Sequence, residues 1–192
     1  MRQLSKQDHY DFGLRSMVAL LRYAGRKRRQ YPQHPEEQMV YLAMRDMNIA
    51  KLTADDLPLF NGIMSDIFPG VVIPTIDYED MNNAISAELV ANGWQPVQIA
   101  ITKVIQLYET KNSRHSVMIL GNTGTAKTVT WKSLKGAMGR LKKLNKAGFN
   151  VVEVFPINPK ALNLGELYGE YNLATNEWLD GVISATMRTT CS

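Results

Sequence analysis

Eight consecutive residues, GNTGTAKT from Gly121 to Thr128, have the types and nearly the spacing of a phosphate-binding loop. In the pattern G-x-x-x-x-G-K-[ST], backbone N–H groups of a glycine-rich loop wrap phosphates. The lysine reaches the β/γ-phosphates and the hydroxyl meets Mg²⁺. Gly121, Lys127 and Thr128 hold the fixed positions, and Asn122, Thr123, Gly124 and Thr125 fill the loop. Ala126 stands where the second glycine belongs. If that position needs a positive φ, a Cβ costs about 1–2 kcal/mol. If it is already the first helical residue, alanine costs nothing. With Gly124 supplying another flexible position, the substitution reads as tolerated for binding; an ordinary strand-to-helix turn is the plainer alternative.

The loop's surroundings are what give the motif weight. The short apolar run SVMIL, residues 116–120, precedes it and predicts a buried parallel strand. From Lys127 a helix is expected to run until Gly148, followed by a second strand in NVVEVF, residues 150–155. Strand, loop, helix, strand is the start of a parallel α/β layer. A helix N-terminus offers unpaired N–H groups and about half a positive charge, which favours phosphate. Arg114 and His115, just ahead of the strand, are expected to face solvent.

Hydrolysis needs more than a cradle. An acid at the end of a second strand must hold Mg²⁺ and prepare water. NVVEVF leads into Pro156, Glu153 lies within the run, and Asp180 follows no apolar run. The expectation is nucleotide binding without turnover.

Residues before the loop read as mostly helical. Apolar positions 14, 17, 18, 20 and 21 make a helical stripe that is expected to end at Gly25. YPQHP breaks the chain, and PEEQMVYLAMRDMNIAKL opens a second helix with proline and two acids. TADDLPLFNGIMSDIF is expected to be a helical segment capped by Thr53 and interrupted near Pro58. Val71 to Ile73 read as an extended connector, and helices are expected over 78–91 and 97–110.

Composition sets outer bounds. A chain of 192 residues with 45% apolar content can build a core. No apolar run approaches the ~18 residues of a membrane span, and the charged start lacks a secretory signal. The single cysteine, Cys191, excludes an internal disulfide and suits a reducing compartment. The net charge of +4 is unevenly placed: residues 1–34 carry eight Lys/Arg against two Asp. That basic stretch lacks an aromatic stacking platform, so neither nucleic acid nor a membrane is an expected partner, and solvated surface is the favoured reading.

Several longer phrases carry a resemblance. HYDFGLR, LPLFNGIMSDIFPGV, IQLYETKNSRHSVMILGNTGTAKT and INPKALNLGELYGEYNLATNEWLDGVIS resemble consecutive pieces of a dynein heavy chain, most like the axonemal class. The resemblance covers nearly the whole sequence in the family's order. It implies an α/β chain, helix-rich overall, with a helical lid subdomain of a first AAA+ module over 1–68. An incomplete P-loop AAA+ parallel-sheet domain, the start of the second module, would occupy 69–192. It implies ATP/ADP with Mg²⁺, the metal meeting Thr128 through the nucleotide. Arg15 resembles the sensor arginine of the preceding module, and Val72 and Ile73 resemble residues near adenine. NLATNEW resembles a hairpin that faces the motor's linker. The implied partners are the rest of the motor ring, the linker and other dynein chains, with microtubules reached only through regions outside this sequence. The implied place is the cytoplasm, in the cytoskeleton of a ciliary or flagellar axoneme. Family members generally keep glycine at the position of Ala126. The chain also starts and ends inside the family pattern. A non-binding structural fragment and a small independent P-loop NTPase remain the alternatives.

Overall fold

The computed structural model describes residues 3–72, 78–114 and 116–191. They fall into two compact units, Met1–Val151 and Val152–Ser192.

The first unit is helical. Its elements are α1 (Leu14–Gln30), α2 (Glu36–Asn48) continued by a 3₁₀ turn at Ile49–Lys51, α3 (Asp56–Ile67), α4 (Glu79–Ala91), α5 (Gln98–Ser113) and α6 (Lys127–Lys143). α1 runs past Gly25 to Gln30 because Lys27, Arg28 and Arg29 populate its last turn, where the helix dipole favours cations. α2 opens behind Pro35 with Glu36 and Glu37 in its first turn, as expected. α3 is not interrupted at Pro58. That proline sits in the first turn, where its missing N–H would have had no helical acceptor. Thr53 is not the cap either: its hydroxyl donates to Asp56 Oδ2 at 3.1 Å.

α1 and α2 bury Tyr23, Ala24, Ala43 and Met47 between them. Leu4, Phe60 and Met64 form a second cluster, with Tyr10, Phe12 and Tyr41 packed against it. α6 packs on α4 and on α5, and the three helices bury Ile85, Leu89, Val104, Ala137 and Leu141. Each such large aliphatic side chain contributes about 1.5–3 kcal/mol by leaving water. This packing holds the helix that the phosphate-binding motif opens.

The second unit holds a 3₁₀ turn at Pro159–Ala161, α7 (Leu164–Tyr168), β1 (Gly169–Tyr171), β2 (Trp178–Asp180) and α8 (Val182–Cys191). A capping box starts α7: Asn163 accepts from Glu166 N–H, and Glu166 accepts from Asn163 N–H. The two strands pair antiparallel, with Gly169 opposite Asp180 and Tyr171 opposite Trp178. The residues between them, NLATNEW in part, close the hairpin through Asn172 N–H to Glu177 C=O at 2.8 Å, with Asn176 at φ 56°.

The expected parallel P-loop sheet is therefore corrected. Among the described residues the only sheet is this open, two-stranded antiparallel one in a helix-rich fold. SVMIL and NVVEVF form no ladder, and their side chains lie open, with Met118 83% and Val151 70% exposed. A parallel strand needs hydrogen-bonding neighbours and cover on both faces. Neither run has them among the described residues, and apolarity by itself does not make a strand. α6 also stops at Lys143, short of Gly148, with Asn145 turning through φ 55°.

Candidate phosphate-binding site

The loop Gly121–Ala126 feeds directly into α6, whose first residue is Lys127. Gly124 has φ 86°, the left-handed region that glycine enters without a steric cost. Gly121 is needed for a different reason: a Cβ there would lie 2.6 Å from Thr125 Oγ1. That hydroxyl donates to Asn122 C=O at 2.8 Å, closing the loop on itself. Ala126 is the N-cap of α6 with φ 59° and ψ 22°. The position thus requires the left-handed conformation, and of the two readings open from sequence the costly one holds. A Cβ there is strained by about 1–2 kcal/mol.

The N-terminus of α6 is open. Ala126 offers no side-chain cap, and the first helical bond runs from Thr130 N–H to Ala126 C=O at 2.9 Å. The N–H groups of Lys127, Thr128 and Val129 consequently have no acceptor among the described residues. Lys127 Nζ folds over the loop and donates to Gly121 C=O at 2.8 Å and Asn122 C=O at 2.7 Å. Thr128 is exposed, and its hydroxyl has no partner among the described residues. Unpaired helix-end donors, a lysine beside them and a free hydroxyl are the donor set that a phosphate with its Mg²⁺ takes. The residues present fit that group. Among the described residues no cluster of three His, Cys, Asp or Glu side chains could hold a metal by itself.

Arg15 lies in the first turn of α1, exposed and without an ion pair among the described residues. A cation at that end opposes the helix dipole. Val72 is 75% exposed and therefore does not pack in a core; Ile73 and His115 lie outside the described residues. Arg114 does not simply face solvent, since it is half-buried and donates to Ser16 Oγ at 3.2 Å.

The comparison with protein families matches residues 1–128 to the hydrolytic ATP binding site of the dynein motor region, a span that ends on the last residue of the loop. The chain belongs to the dynein heavy-chain family. Its relatives are axonemal. It is 54% identical over 192 residues to mouse (Mus musculus) dynein axonemal heavy chain 2, and equally to the human (Homo sapiens) protein. It is 47% identical over 193 residues to the Chlamydomonas reinhardtii Dynein-1-beta heavy chain of the flagellar inner arm I1 complex. These matches cover 99–100% of this chain but about 4% of each relative. The dynein segment is thus an AAA+ motor piece of axonemal type, associated with the cytoskeleton of cilia and flagella. No helix among its described residues is long and apolar enough to cross a membrane.

One buried constellation in this dynein segment escaped sequence reasoning. Lys27 Nζ of α1 lies 3.5 Å from Asp46 Oδ2 of α2 and 3.3 Å from Glu109 Oε2 of α5, all three side chains at most 10% exposed. Tyr23 donates to Glu109 Oε2 at 2.5 Å, and Tyr78 donates to Glu109 Oε1. Burial first, then the Glu109 charge, pushes both phenols well above the ordinary tyrosine range. Burial also raises the Asp46 carboxyl, against the pull of Lys27. The partners Lys27 and Glu109 stand 82 residues apart in sequence, and no local pattern announces them. A second polar knot ties the N-terminal segment down: Asp56 accepts from Ser5 N–H, Ser5 Oγ and Tyr10 OH at 3.1, 2.5 and 2.8 Å. The Ser5 hydroxyl foremost, with the other donors, holds the Asp56 carboxyl down at about 2.

Proposed function

We propose that Gly121, Asn122, Thr123, Gly124, Thr125, Ala126, Lys127 and Thr128 bind ATP or ADP with Mg²⁺, and that this chain by itself binds nucleotide without hydrolysing it. The observation that carries the reading is the uncapped N-terminus of α6 with Lys127 bent over the loop beside it. In the bound form the backbone amides would take the phosphates, Lys127 would exchange its two loop carbonyls for phosphate oxygens, and Thr128 would meet the metal. The nucleotide supplies a charged phosphate chain with its Mg²⁺. The protein's part is to orient that chain. The absence of turnover is supported by the engagement of Asp180 elsewhere: Trp178 Nε1 donates to it at 2.7 Å and Arg188 pairs with it at 3.0 Å.

In this reading residues 1–68 are the lid of a first module and 69–192 the beginning of a second. Arg15 is the sensor that points at the preceding module's nucleotide; its charge at a helix N-terminus, without an ion pair among the described residues, supports that role. Val72 and Ile73 line the adenine, and the 169–180 hairpin faces the linker. The remainder of the ring, the linker and other dynein chains are the partners. Microtubules are reached through regions outside this sequence. Nucleotide would bias discrete packings of these rigid elements, as in other switching machines.

Titration with a fluorescent ATP analogue, alongside a phosphate-release assay, tests the proposal. Mg²⁺-dependent binding without phosphate release is expected. No binding at millimolar nucleotide favours a non-binding structural role, a reading to which the strained Ala126 and the self-engaged Lys127 lend support. A phosphate-release rate abolished by Lys127→Ala would establish an independent NTPase instead.

A further inference from the structure

α1 carries Arg15, Arg22, Arg26, Lys27, Arg28 and Arg29 and not one acid along its length. Lys27 turns inward to its two carboxylates. On the outer side, Arg22, Arg26 and Arg29 line a depression of about 870 Å³ together with Lys111 and Arg114 from the end of α5. Among the described residues no acidic and no aromatic one lines it. Soluble surfaces ordinarily mix both signs, and like charges at i,i+4, such as Arg22 and Arg26, destabilise a helix.

The plainest account is that cations gather where helices end. Each helix C-terminus carries about half a negative charge, so two of them offset about one of the five cations. A surplus of about four remains. Arg22, Arg29 and Lys111 have no ion pair among the described residues, and Arg114 spends one donor on Ser16. The surplus is felt nearby: Lys51 is lowered to about 8, by burial first and by the Arg114 charge second.

We infer that this groove is a docking site for an acidic polypeptide segment. Guanidinium forks match carboxylates in two-point contacts, which suits Asp or Glu side chains. Arg22 and Arg29 are seven residues apart on α1, a rise of about 10 Å, close to the length of about three residues of extended chain. The uncharged residues Leu21 and Gly25 also line the groove. Nucleic acid is the poorer match because the described residues of the groove offer no ring on which a base could stack.

Fluorescence anisotropy of a fluorescein-labelled hexaglutamate peptide, titrated with the full chain, reads the site. Binding is expected to weaken steeply as ionic strength rises, because the charges are exposed. Arg22→Glu with Arg29→Glu is expected to lower affinity by more than about tenfold, the scale of reversing two interfacial charges. Lys142→Glu with Lys143→Glu makes the same change of net charge at the exposed end of α6 and is expected to leave affinity nearly unchanged. An equal loss in both double variants overturns the site, because binding then follows net charge alone. Lys111→Gln, on a different helix, gives the same reading should the α1 variant lose its helical circular dichroism. Binding abolished by Lys127→Ala also overturns the inference, since the peptide would then occupy the phosphate loop. An oligothymidylate that displaces the peptide at lower concentration overturns the choice of an acidic polypeptide.

Discussion

Lys127 donates its ammonium to the carbonyl oxygen of Asn122 at 2.7 Å, so the lysine is held by the same loop it must leave to meet a phosphate. The second carbonyl, Gly121 C=O at 2.8 Å, makes the contact two-pronged. Both acceptors are neutral, and a phosphate oxygen, which carries charge of its own, forms the stronger bond with the ammonium. Lys127→Ala is therefore expected to weaken nucleotide binding more than about tenfold, or 1.4 kcal/mol, with helicity unchanged. Equal affinities in titration would refute the assignment. Thr128→Ala is expected chiefly to remove the Mg²⁺ dependence of binding, and an unaltered metal requirement would count against its role.

Ala126 holds φ 59° at the junction of loop and helix. Glycine there relieves about 1–2 kcal/mol of left-handed strain and gives back about 0.4–1 kcal/mol through a freer unfolded chain. Ala126→Gly is expected to raise stability by about 0.5–1 kcal/mol on that balance. It should also tighten nucleotide binding, since the loop is freer to adjust. Urea unfolding with and without nucleotide measures both effects, and a loss of stability would mean that alanine fits the junction without strain.

Glu109 anchors Lys27, Tyr23 and Tyr78 in one buried place. Removing a member of a buried ionic group leaves the others unpaired, at about 3–5 kcal/mol. Glu109→Ala is expected to destabilise the first unit on that scale. Asp80→Ala, which removes the exposed pair with Lys146 at 2.8 Å, should leave the unfolding midpoint nearly unchanged. Similar midpoints for the two variants would show that the buried group contributes little.

Asp56 ties Ser5 and Tyr10 to the start of α3. Its carboxyl is held down at about 2 in the folded protein, against about 3.9 unfolded. The unfolded chain binds the extra proton first, so this stabilisation is complete above about pH 4 and fades as pH falls towards 2. Asp56→Asn is expected to lower the melting temperature at pH 7 and to flatten the acid limb of the stability curve between those values. A parallel downward shift at every pH would mean that the Asp56 hydrogen bonds do not depend on its charge.

The helices were largely legible. Proline and acids marked the start of α2, and the ranges expected for α4 and α5 differ from those observed by a few residues at most. Gly25 predicts a stop for α1, whereas three cations in the last turn carry the helix on to Gln30. The capping box before α7 was readable in NLGE, an asparagine three residues ahead of a glutamate. The parallel sheet failed for a reason that no window of sequence contains. Whether Val117 to Leu120 become a strand depends on neighbours to pair with, and those lie elsewhere in space. The proposed phosphate-binding motif does not depend on that sheet, because its chemistry is local: eight residues, one turn and one helix end. The Lys27–Asp46–Glu109 group is the reverse case, made wholly by packing of distant helices.

Hydrogen–deuterium exchange with and without Mg·ATP tests the central claim most directly. The amides of Lys127, Thr128 and Val129, which lack acceptors among the described residues, are expected to become protected together with those of the 121–126 loop. The Lys127→Ala chain is expected to lose that protection. Saturating nucleotide with no added protection at these amides, or protection confined to other helices, would contradict a phosphate cradle at Gly121–Thr128.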